Sequence, residues 1–272
     1  MIQYPHCKIN LGLSIVAKRA DGFHELETVF YPVALKDILE ITPAKTNDAT
    51  SFSNSGLAIP GDSINNLCLK AYHLLKADFP SLPEIQMHLH KIIPMGAGLG
   101  GGSSDGSSAL KILNTLFEIG LSQEQLIIYA EKLGSDCPFF IANQPALAKG
   151  RGEQLHPMNV NLSGLYIAIY NPGIHVSTAS AYGSIVPNPM HSIDYQIKAL
   201  HEWQAYYVND FEKPVALAHP EISEGIEYLT EKGAFYAAMS GSGSSYLGIF
   251  ENPPSNLTTN GLLYVGPVSL SS

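Results

Sequence analysis

The chain contains the stretch Pro94-Met95-Gly96-Ala97-Gly98-Leu99-Gly100-Gly101-Gly102-Ser103-Ser104-Asp105, with five glycines within seven residues. Glycine reaches positive φ without strain, and its missing Cβ lets successive backbone N–H groups converge on a ligand oxygen. Behind the glycines, two serines and an aspartate offer capping side chains, and the apolar spacing of residues 109–114 is typical of a helix. The stretch therefore predicts a phosphate-binding loop that leads into the N-terminus of a helix.

Two other glycine-rich phosphate loops fit this stretch less well. A Walker A loop requires a lysine after its last glycine, and the stretch contains none. Gly96, Gly98 and Gly101 match the G-x-G-x-x-G spacing of dinucleotide-binding folds, which begin with a buried parallel strand. Residues 85–90 instead alternate apolar and polar side chains, as half-exposed antiparallel strands do, and the acidic ribose ligand is missing. A dinucleotide-binding fold is therefore the weaker interpretation.

Composition and charge narrow the possible classes of protein. Of the 272 residues 45% are hydrophobic and 14% charged, and no apolar run reaches the length of about 18 residues that a membrane span needs. The formal net charge of −9 opposes binding to nucleic acid, whose phosphates require clustered lysine and arginine. We expect a globular protein with neither a membrane nor a nucleic-acid partner. The oligomeric state stays open.

Two features predict a cytoplasmic location. Residues 1–8 lack the basic and then apolar pattern of a signal peptide. The cysteines Cys7, Cys68 and Cys137 are odd in number, widely spaced and without a C-x-x-C pattern. They suggest neither a disulfide framework nor a zinc site, so we expect reduced thiols.

The glycine stretch resembles, nearly residue for residue, the P-x-G-x-G-L-G-S-S-type loop of the GHMP kinases. Further segments resemble one branch of that superfamily, the 4-diphosphocytidyl-2-C-methyl-D-erythritol kinases. Pro5-His6-Cys7-Lys8-Ile9-Asn10-Leu11 is similar to their P-A-K-I-N-L opening, with Cys7 in place of the usual alanine. The other similar segments, in the family's order, are residues 18–24, 133–140, 148–155, 176–182 and 237–250. The last contains a second glycine-serine segment, residues 240–245; a flexible linker has similar composition but would not stand between two apolar strands.

The resemblance implies a fold, a reaction and cofactors. The fold would be the two-lobed α+β GHMP kinase fold, with an N-terminal nucleotide-binding lobe of the ribosomal-protein-S5-like type at residues 1–160. A C-terminal α+β lobe would follow at residues 161–272, with the active site in the cleft between the lobes. The reaction would be ATP-dependent phosphorylation of the 2-hydroxyl of 4-diphosphocytidyl-2-C-methyl-D-erythritol, a step in non-mevalonate isoprenoid synthesis. It would use ATP and Mg²⁺, whose protein ligands the sequence does not indicate.

For the nucleotide, the resemblance implies that residues 94–104 cradle the phosphates. Lys91 would meet the phosphates or the ribose. Asn65 would approach the adenine, although Asn65 and Asn66 also stand where a helix N-cap is expected. In that case Asn65 has a purely structural role.

For the acceptor, the resemblance makes Asp136 the catalytic base, with Lys8 close enough to keep its carboxylate ionised. Asp136 precedes Cys137 and Pro138, so a simple N-cap is the alternative. Asn10 is a candidate for binding the acceptor, because it points to the same side of the first strand as Lys8; that face could equally be solvated.

The residues for the cytosine ring come from two segments. Phe23 and Tyr182 would stack on the ring and His24 would read its edge, a combination typical of base recognition. The structural alternative places Phe23 in the core, His24 on the surface and Tyr182 in helix packing.

Two other functions remain open. Another GHMP kinase, of the mevalonate or homoserine type, would use a different acceptor, and the segments with Phe23, His24 and Tyr182 argue against it. A catalytically silent GHMP-fold binding protein need not retain both Lys8 and Asp136.

Overall fold

The computed structural model describes residues 1–183, 185–193 and 198–268. Strands and α-helices are mixed along this part of the chain, which confirms the predicted α+β class. The strands are β1 (Ile2–Gln3), β2 (His6–Lys18), β3 (His24–Lys36), β4 (Ile38–Pro43), β5 (Ser51–Gly56), β6 (Ile85–Lys91), β7 (Ala146–Lys149), β8 (Gln154–Pro157), β9 (Tyr166–Tyr170), β10 (Tyr236–Met239), β11 (Tyr246–Phe250) and β12 (Leu262–Pro267). The helices are α1 (Leu67–Asp78), α2 (Gly101–Leu116), α3 (Gln123–Leu133), α4 (Cys137–Ala142), α5 (Thr178–Gly183), α6 (Trp203–Tyr206), α7 (Glu212–Ala218) and α8 (Pro220–Glu231).

The chain forms two compact units, each assembled from separate segments. The first unit consists of Met1–Cys7, Leu35–Met95 and Gly100–Asn143. The second consists of Lys8–Ala34, Gly96–Leu99 and the chain from Gln144 onward. The glycine stretch thus contributes residues to both units. The lobe boundary expected at residue 160 stays a prediction.

The first unit is a four-stranded sheet covered by helices. Its strand order is β1-β4-β6-β5, with β5 parallel to β6 and the other pairs antiparallel. In β6, Ile85, Met87 and Leu89 are buried and alternate with more exposed residues, as the sequence predicted. These side chains form one core with apolar residues of α1, α2 and α3. The amphipathic strand therefore positions the glycine stretch, which directly follows it.

The helices of the first unit begin at different kinds of residue. α3 has a capping box, in which Ser122 and Gln125 exchange hydrogen bonds, and Gly134 is its C-cap. α1 is capped by Asn66, whose side chain accepts from the Cys68 N–H at 2.8 Å. The predicted capping of α2 by residues 103–105 is wrong, because this helix already begins at Gly101. Its N-cap is Gly100, which has no side chain to accept a bond.

The second unit contains two four-stranded sheets, ordered β2-β3-β7-β8 and β10-β11-β9-β12. Residues 240–245 connect β10 to β11, which pair antiparallel. Ser240, Ser244 and Ser245 are fully buried, so the alternative of a flexible linker is wrong. Within the described residues, no helix has the length and apolarity needed to cross a membrane.

A buried ion cluster joins the end of β6 to the start of α2. The ammonium of Lys91 binds the carboxylate of Asp37 and lies 2.7 Å from Oδ2 of Asp105. The other oxygen of Asp37 accepts from the backbone N–H groups of Ile92 and Ile93. We call Asp37, Lys91 and Asp105 the Lys91 cluster; the side chains of Lys91 and Asp37 are fully buried and that of Asp105 is 3% exposed.

The Lys91 cluster has two acidic groups for one basic group, and the pKa values of Asp105 and Lys91 are shifted. Burial, together with the charge of Asp37, raises the pKa of Asp105 to about 7 in spite of the lowering by Lys91. Burial disfavours the charge of Lys91, but Asp105 and Asp37 outweigh this and raise its pKa. Oδ1 of Asp105 is buried and accepts no hydrogen bond from the described residues. The negative charge of Asp105 is therefore poorly stabilised in the cluster.

This arrangement predicts a pH dependence of stability. Between pH 4 and 7 the folded state holds a proton on Asp105 that the unfolded chain, with its ordinary pKa near 3.8, has already released. This contribution to the free energy of unfolding therefore decreases as the pH rises, by at most about 1.4 kcal/mol per pH unit. We expect Asp105→Asn, which carries no charge at any pH, to flatten this slope in urea unfolding at a series of pH values.

A second variant tests the same cluster by removing its cation instead of one of its carboxylates. Lys91→Met leaves two buried carboxylates without their cation, so we expect a loss of about 3–5 kcal/mol at pH 8. Asp105→Asn at the same pH should be neutral or stabilising. Equal losses in both variants, or a slope that Asp105→Asn does not change, would contradict this account of the cluster.

Candidate active site

The glycines of the stretch are required for two different reasons. A Cβ on Gly98 would lie 1.9 Å from the carbonyl oxygen of Ser240, and one on Gly101 would lie 2.9 Å from Nζ of Lys91. These two glycines are therefore needed for packing inside the protein. A Cβ on Gly96, at φ +64°, would come no closer than 3.7 Å to the ring of His175. On the protein side, a Cβ on Gly96 would therefore make only ordinary van der Waals contact.

The apolar members of the stretch anchor it. Ala97 and Leu99 are buried, and their carbonyl groups accept from the N–H groups of Ser245 and Lys8 at 3.2 and 2.9 Å. Met95 is more exposed, and the absence of a side chain on Gly102 lets it pack there. Pro94 is half-buried, and the backbone from Gly100 onward forms the first turn of α2.

The start of α2 has the properties of an anion site. Its N-cap makes no side-chain hydrogen bond, and the N–H of Ser104 donates to the carbonyl of Gly100 at 2.9 Å. The N–H groups of Gly101, Gly102 and Ser103 precede this first helical bond. They carry the positive end of the helix dipole, where a phosphate group is favourable.

Lys8 and Asn10 lie together on β2, and both are buried, with 4% and 2% of their surface exposed. The alternative of a solvated strand face is therefore wrong. Nζ of Lys8 donates to Oδ1 of Asn10 at 2.6 Å and lies 4.6 Å from the centroid of the Phe30 ring. Asn10 donates in turn to the hydroxyl of Thr28 at 2.9 Å. These contacts leave Lys8 little rotamer freedom.

The second glycine-serine segment contacts both the glycine stretch and β2. The hydroxyl of Ser240 donates to the carbonyl of Gly98 at 3.0 Å and accepts from the N–H of Asn10 at 3.3 Å. Residue-by-residue reasoning missed Ser240, Thr28 and Phe30. The resemblance of residues 237–250 to a family motif was the available signal for Ser240.

Asp136 stands at the N-cap position of α4, with φ −83° and ψ −16°, but its carboxylate makes no capping hydrogen bond. The capping alternative for this residue is therefore wrong. α4 is held against α2, since the hydroxyl of Ser107 donates to the carbonyl of Cys137 at 2.8 Å. Asp136 is half-buried in the first unit, whereas Lys8 belongs to the second. The pairing of the two stays a prediction.

The two remaining nucleotide candidates differ in exposure. Asn65 is exposed at the end of the short 3₁₀ turn Ser63–Asn65, and because Asn66 caps α1, the capping alternative for Asn65 is wrong. Lys91 is fully buried and bonded to two carboxylates. Contact of either residue with a nucleotide stays a prediction.

The predicted cytosine residues lie in the second unit. His24 and Tyr182 stack, with ring centroids 5.1 Å apart and an interplanar angle of 26°. Tyr182 also meets Phe211 edge to face at 4.8 Å. Phe23 is 52% exposed, so the alternative that it belongs to the core is wrong. Binding of a cytosine ring by these residues stays a prediction.

Comparison with known proteins places the chain in a family. The sequence profile of the GHMP kinases N terminal domain matches residues 66–150, and that of the GHMP kinases C terminal domain matches residues 191–257. A 4-diphosphocytidyl-2-C-methyl-D-erythritol kinase of Cytophaga hutchinsonii is 49% identical over 265 residues, covering 96% of both chains. The kinase of the same name from Bacteroides thetaiotaomicron is 50% identical over 254 residues, covering 92% of both.

A solved structure agrees with these sequence matches. The crystal structure of a 4-(cytidine 5'-diphospho)-2C-methyl-D-erythritol kinase matches with a TM-score of 0.78 and 32% identity, over 93% of this chain and 91% of the other. Identity at this level, over nearly the full length of each relative, shows common descent rather than a shared fold alone. The chain belongs to the 4-diphosphocytidyl-2-C-methyl-D-erythritol kinase family of the GHMP kinases.

Proposed function

We propose that this protein transfers the γ-phosphoryl group of ATP to the 2-hydroxyl of 4-diphosphocytidyl-2-C-methyl-D-erythritol, a step of isoprenoid precursor synthesis. The names of its relatives support this reaction. The observation that carries it is the position of Lys8, a buried lysine whose backbone N–H donates to the carbonyl of Leu99 inside the glycine stretch. A fixed cation next to a predicted phosphate loop suits phosphoryl transfer.

In this proposal residues 94–104 bind the phosphates of ATP. The uncapped start of α2 supplies N–H donors and the positive end of a helix dipole. Asn65 is assigned to the adenine. Lys91 is assigned to the support of the loop, because its ammonium is already bonded to two carboxylates.

Phosphoryl transfer requires a base for the attacking hydroxyl and stabilisation of the charge on the transferred group. Asp136 accepts the proton of the 2-hydroxyl while the hydroxyl oxygen forms its bond to the γ-phosphorus and the bond to ADP breaks. Lys8 stabilises the charge on the transferred group. Asn10 positions Lys8 through their hydrogen bond of 2.6 Å.

Mg²⁺ is the metal that this reaction implies. No group of three or more His, Cys, Asp and Glu side chains among the described residues could hold a metal ion. Mg²⁺ bound with a nucleotide takes most of its ligands from phosphates and water, and it prefers oxygen donors. The hydroxyl of Ser103, in the first turn of α2, is a donor of this kind and would hold it. The ion would neutralise phosphate charge.

We place the reaction in the cytoplasm, where thiols stay reduced. Cys7, Cys68 and Cys137 are all buried and free of disulfides. Burial raises the pKa of Cys137 to about 11 and raises that of Cys68 as well, so both stay protonated and unreactive.

One assay separates the proposed reaction from its alternatives. The purified protein is incubated with ATP and with the cytidyl erythritol, mevalonate or homoserine as acceptor, and ADP release is measured. We expect turnover with the cytidyl acceptor. Turnover with another acceptor would identify a different GHMP kinase, and ATP binding without turnover would identify a silent binding protein.

The role of Asp136 predicts a loss of turnover without a loss of stability. We expect Asp136→Asn to lower kcat by about 10²–10⁴-fold, the usual contribution of a general base, while ATP still binds in calorimetry. The melting temperature should not show the fall that the loss of a helix cap causes, because this carboxylate makes no capping hydrogen bond. Asp48→Asn, at an exposed aspartate in a turn, is the control. Near-normal kcat for Asp136→Asn would exclude it as the base.

The role of the glycine stretch is tested at Gly96. Gly96→Ala places a methyl group where we expect a phosphate of ATP to bind. ATP should therefore bind more weakly to this variant in calorimetry. Gly120→Ala is a matched control, since Gly120 also has a positive φ, of +81°, and open space around its Cβ position. Both variants should lose about 1 kcal/mol of stability from backbone strain. An equal ATP affinity in the two variants would refute phosphate binding at Gly96.

The choice of acceptor is tested at Phe23. Stacking of one base on one aromatic ring contributes about 1–3 kcal/mol, so Phe23→Ala should raise KM for the cytidyl acceptor roughly tenfold or more. KM for ATP should hardly change. Tyr182→Ala should act likewise, and its effect should not add to that of His24→Ala, because these rings stack. Unchanged acceptor KM in both Phe23→Ala and Tyr182→Ala would exclude the cytosine assignment.

A further inference from the structure

Of the 15 lysines and arginines in the sequence, only two are arginines. Arg19 belongs to the hairpin between β2 and β3, and Arg151 belongs to a turn that is bonded to this hairpin. Arg19 closes the hairpin. Its N–H donates to the carbonyl of Phe23 at 2.8 Å, and its guanidinium pairs with Asp21 and Glu25 at 3.0 Å each. Asp21 also accepts from the N–H of Phe23 at 3.1 Å. The backbone that carries Phe23 is therefore fixed from both sides.

The second arginine, Arg151, stands on the turn between β7 and β8. This turn is bonded to the hairpin, because Glu25 accepts from the N–H of Gly150 at 2.9 Å and the N–H of Leu26 donates to the carbonyl of Gly150 at 2.8 Å. Within the turn, the N–H of Arg151 donates to Glu153 at 2.6 Å. Glu25 thus connects Arg19 to the turn that presents Arg151.

These bonds place the guanidinium of Arg151 over the ring of Phe23, with Cζ 4.9 Å from the ring centroid. The salt bridge from Arg151 to Glu153, at 4.0 Å, is long and partly exposed, so it constrains the guanidinium only weakly. A planar guanidinium stacks on an aromatic face, which the compact ammonium of a lysine does not do. One face of Phe23 is thus covered by a cation.

The rest of the Phe23 ring remains in contact with solvent, since this residue is 52% exposed. An exposed phenylalanine at a hairpin tip contributes little to the core, yet hydrogen bonds hold its backbone and the guanidinium of Arg151 lies over its ring. Such order is expected of a ring that must receive a ligand on its open face, because a ring fixed in advance loses less entropy on binding.

We propose that Arg151 is a positioning residue for the acceptor: it holds the Phe23 ring from behind so that the open face stacks on the pyrimidine base. This inference rests on the proposed function and extends it to a residue outside the nucleotide and proton-transfer sites. Arg151 acts through Phe23 and not through a contact of its own with the acceptor.

A double-mutant cycle tests this mode of action. We expect Arg151→Ala to raise KM for the cytidyl acceptor about three- to tenfold, with kcat and the KM for ATP unchanged. In the Phe23→Ala background the same change should have no further effect, because the ring that Arg151 holds is gone. Arg151→Lys should restore less than half of the loss, since a lysine keeps the charge without the planar stack. Lys132→Ala, which removes an exposed cation 5.0 Å from the Tyr129 ring, is the control.

Two results would overturn the inference. An effect of Arg151→Ala that persists in full in the Phe23→Ala background would show a direct contact with the acceptor, for example with its diphosphate. An acceptor KM that Arg151→Ala leaves unchanged would show that the arginine is a surface residue. Melting temperatures of all variants check that each one is folded.

A binding measurement separates this inference from the proposed function. If the wild-type protein does not phosphorylate the cytidyl acceptor, the proposed function fails. The same double-mutant cycle is then measured by calorimetry, with the affinity for cytidine 5'-diphosphate in place of the acceptor KM. Non-additive losses in Arg151→Ala and Phe23→Ala would support the positioning role, and wild-type protein that does not bind this nucleotide would overturn it.

Discussion

The ammonium of Lys91 binds Asp37 and Asp105 at once, and Asp37 also binds two backbone N–H groups directly after β6. The segment that precedes the glycines and the first turns of α2 are therefore attached to one buried cation. A loop with so many glycines has high entropy when unconstrained. Attachment at both ends is what allows such a loop to hold a single conformation. This explains why a chain with few charges places three of them where water does not reach.

The glycines themselves serve two requirements that their pattern in the sequence does not separate. Gly98 and Gly101 are glycines because Ser240 and Lys91 occupy the space of a Cβ. Gly96 has positive φ, and a Cβ there would make only ordinary van der Waals contact with His175, so the approach of a ligand is the better explanation there. Some glycines of a glycine-rich phosphate loop are therefore required by packing inside the protein, and only the others indicate where a ligand binds.

The limits of prediction from the sequence follow from what local patterns can encode. The alternation of apolar and polar residues along β6 is local, and it was predicted correctly. The start of α2 was placed too late, because serines are good caps but Gly100 has the left-handed φ of +67° that the end of the loop requires. The partners of Lys91 were not predicted, since Asp37 lies 54 residues away and only the fold brings it close. The resemblance to a family supplied the site residues, and composition or periodicity alone would not have done so.

The balance of charge also explains why the proposed site would depend on backbone groups. A protein with a formal net charge of −9 repels ATP and a diphosphate acceptor at long range, so attraction must arise at short range. The basic side chains near the proposed site already have contacts: Lys91 with two carboxylates, Lys8 with Asn10 and Arg151 with Phe23. The N–H groups at the start of α2 lack a side-chain cap. Phosphate binding in this protein would therefore come first from oriented peptide dipoles, and the side-chain cations would fix the geometry in which those dipoles act.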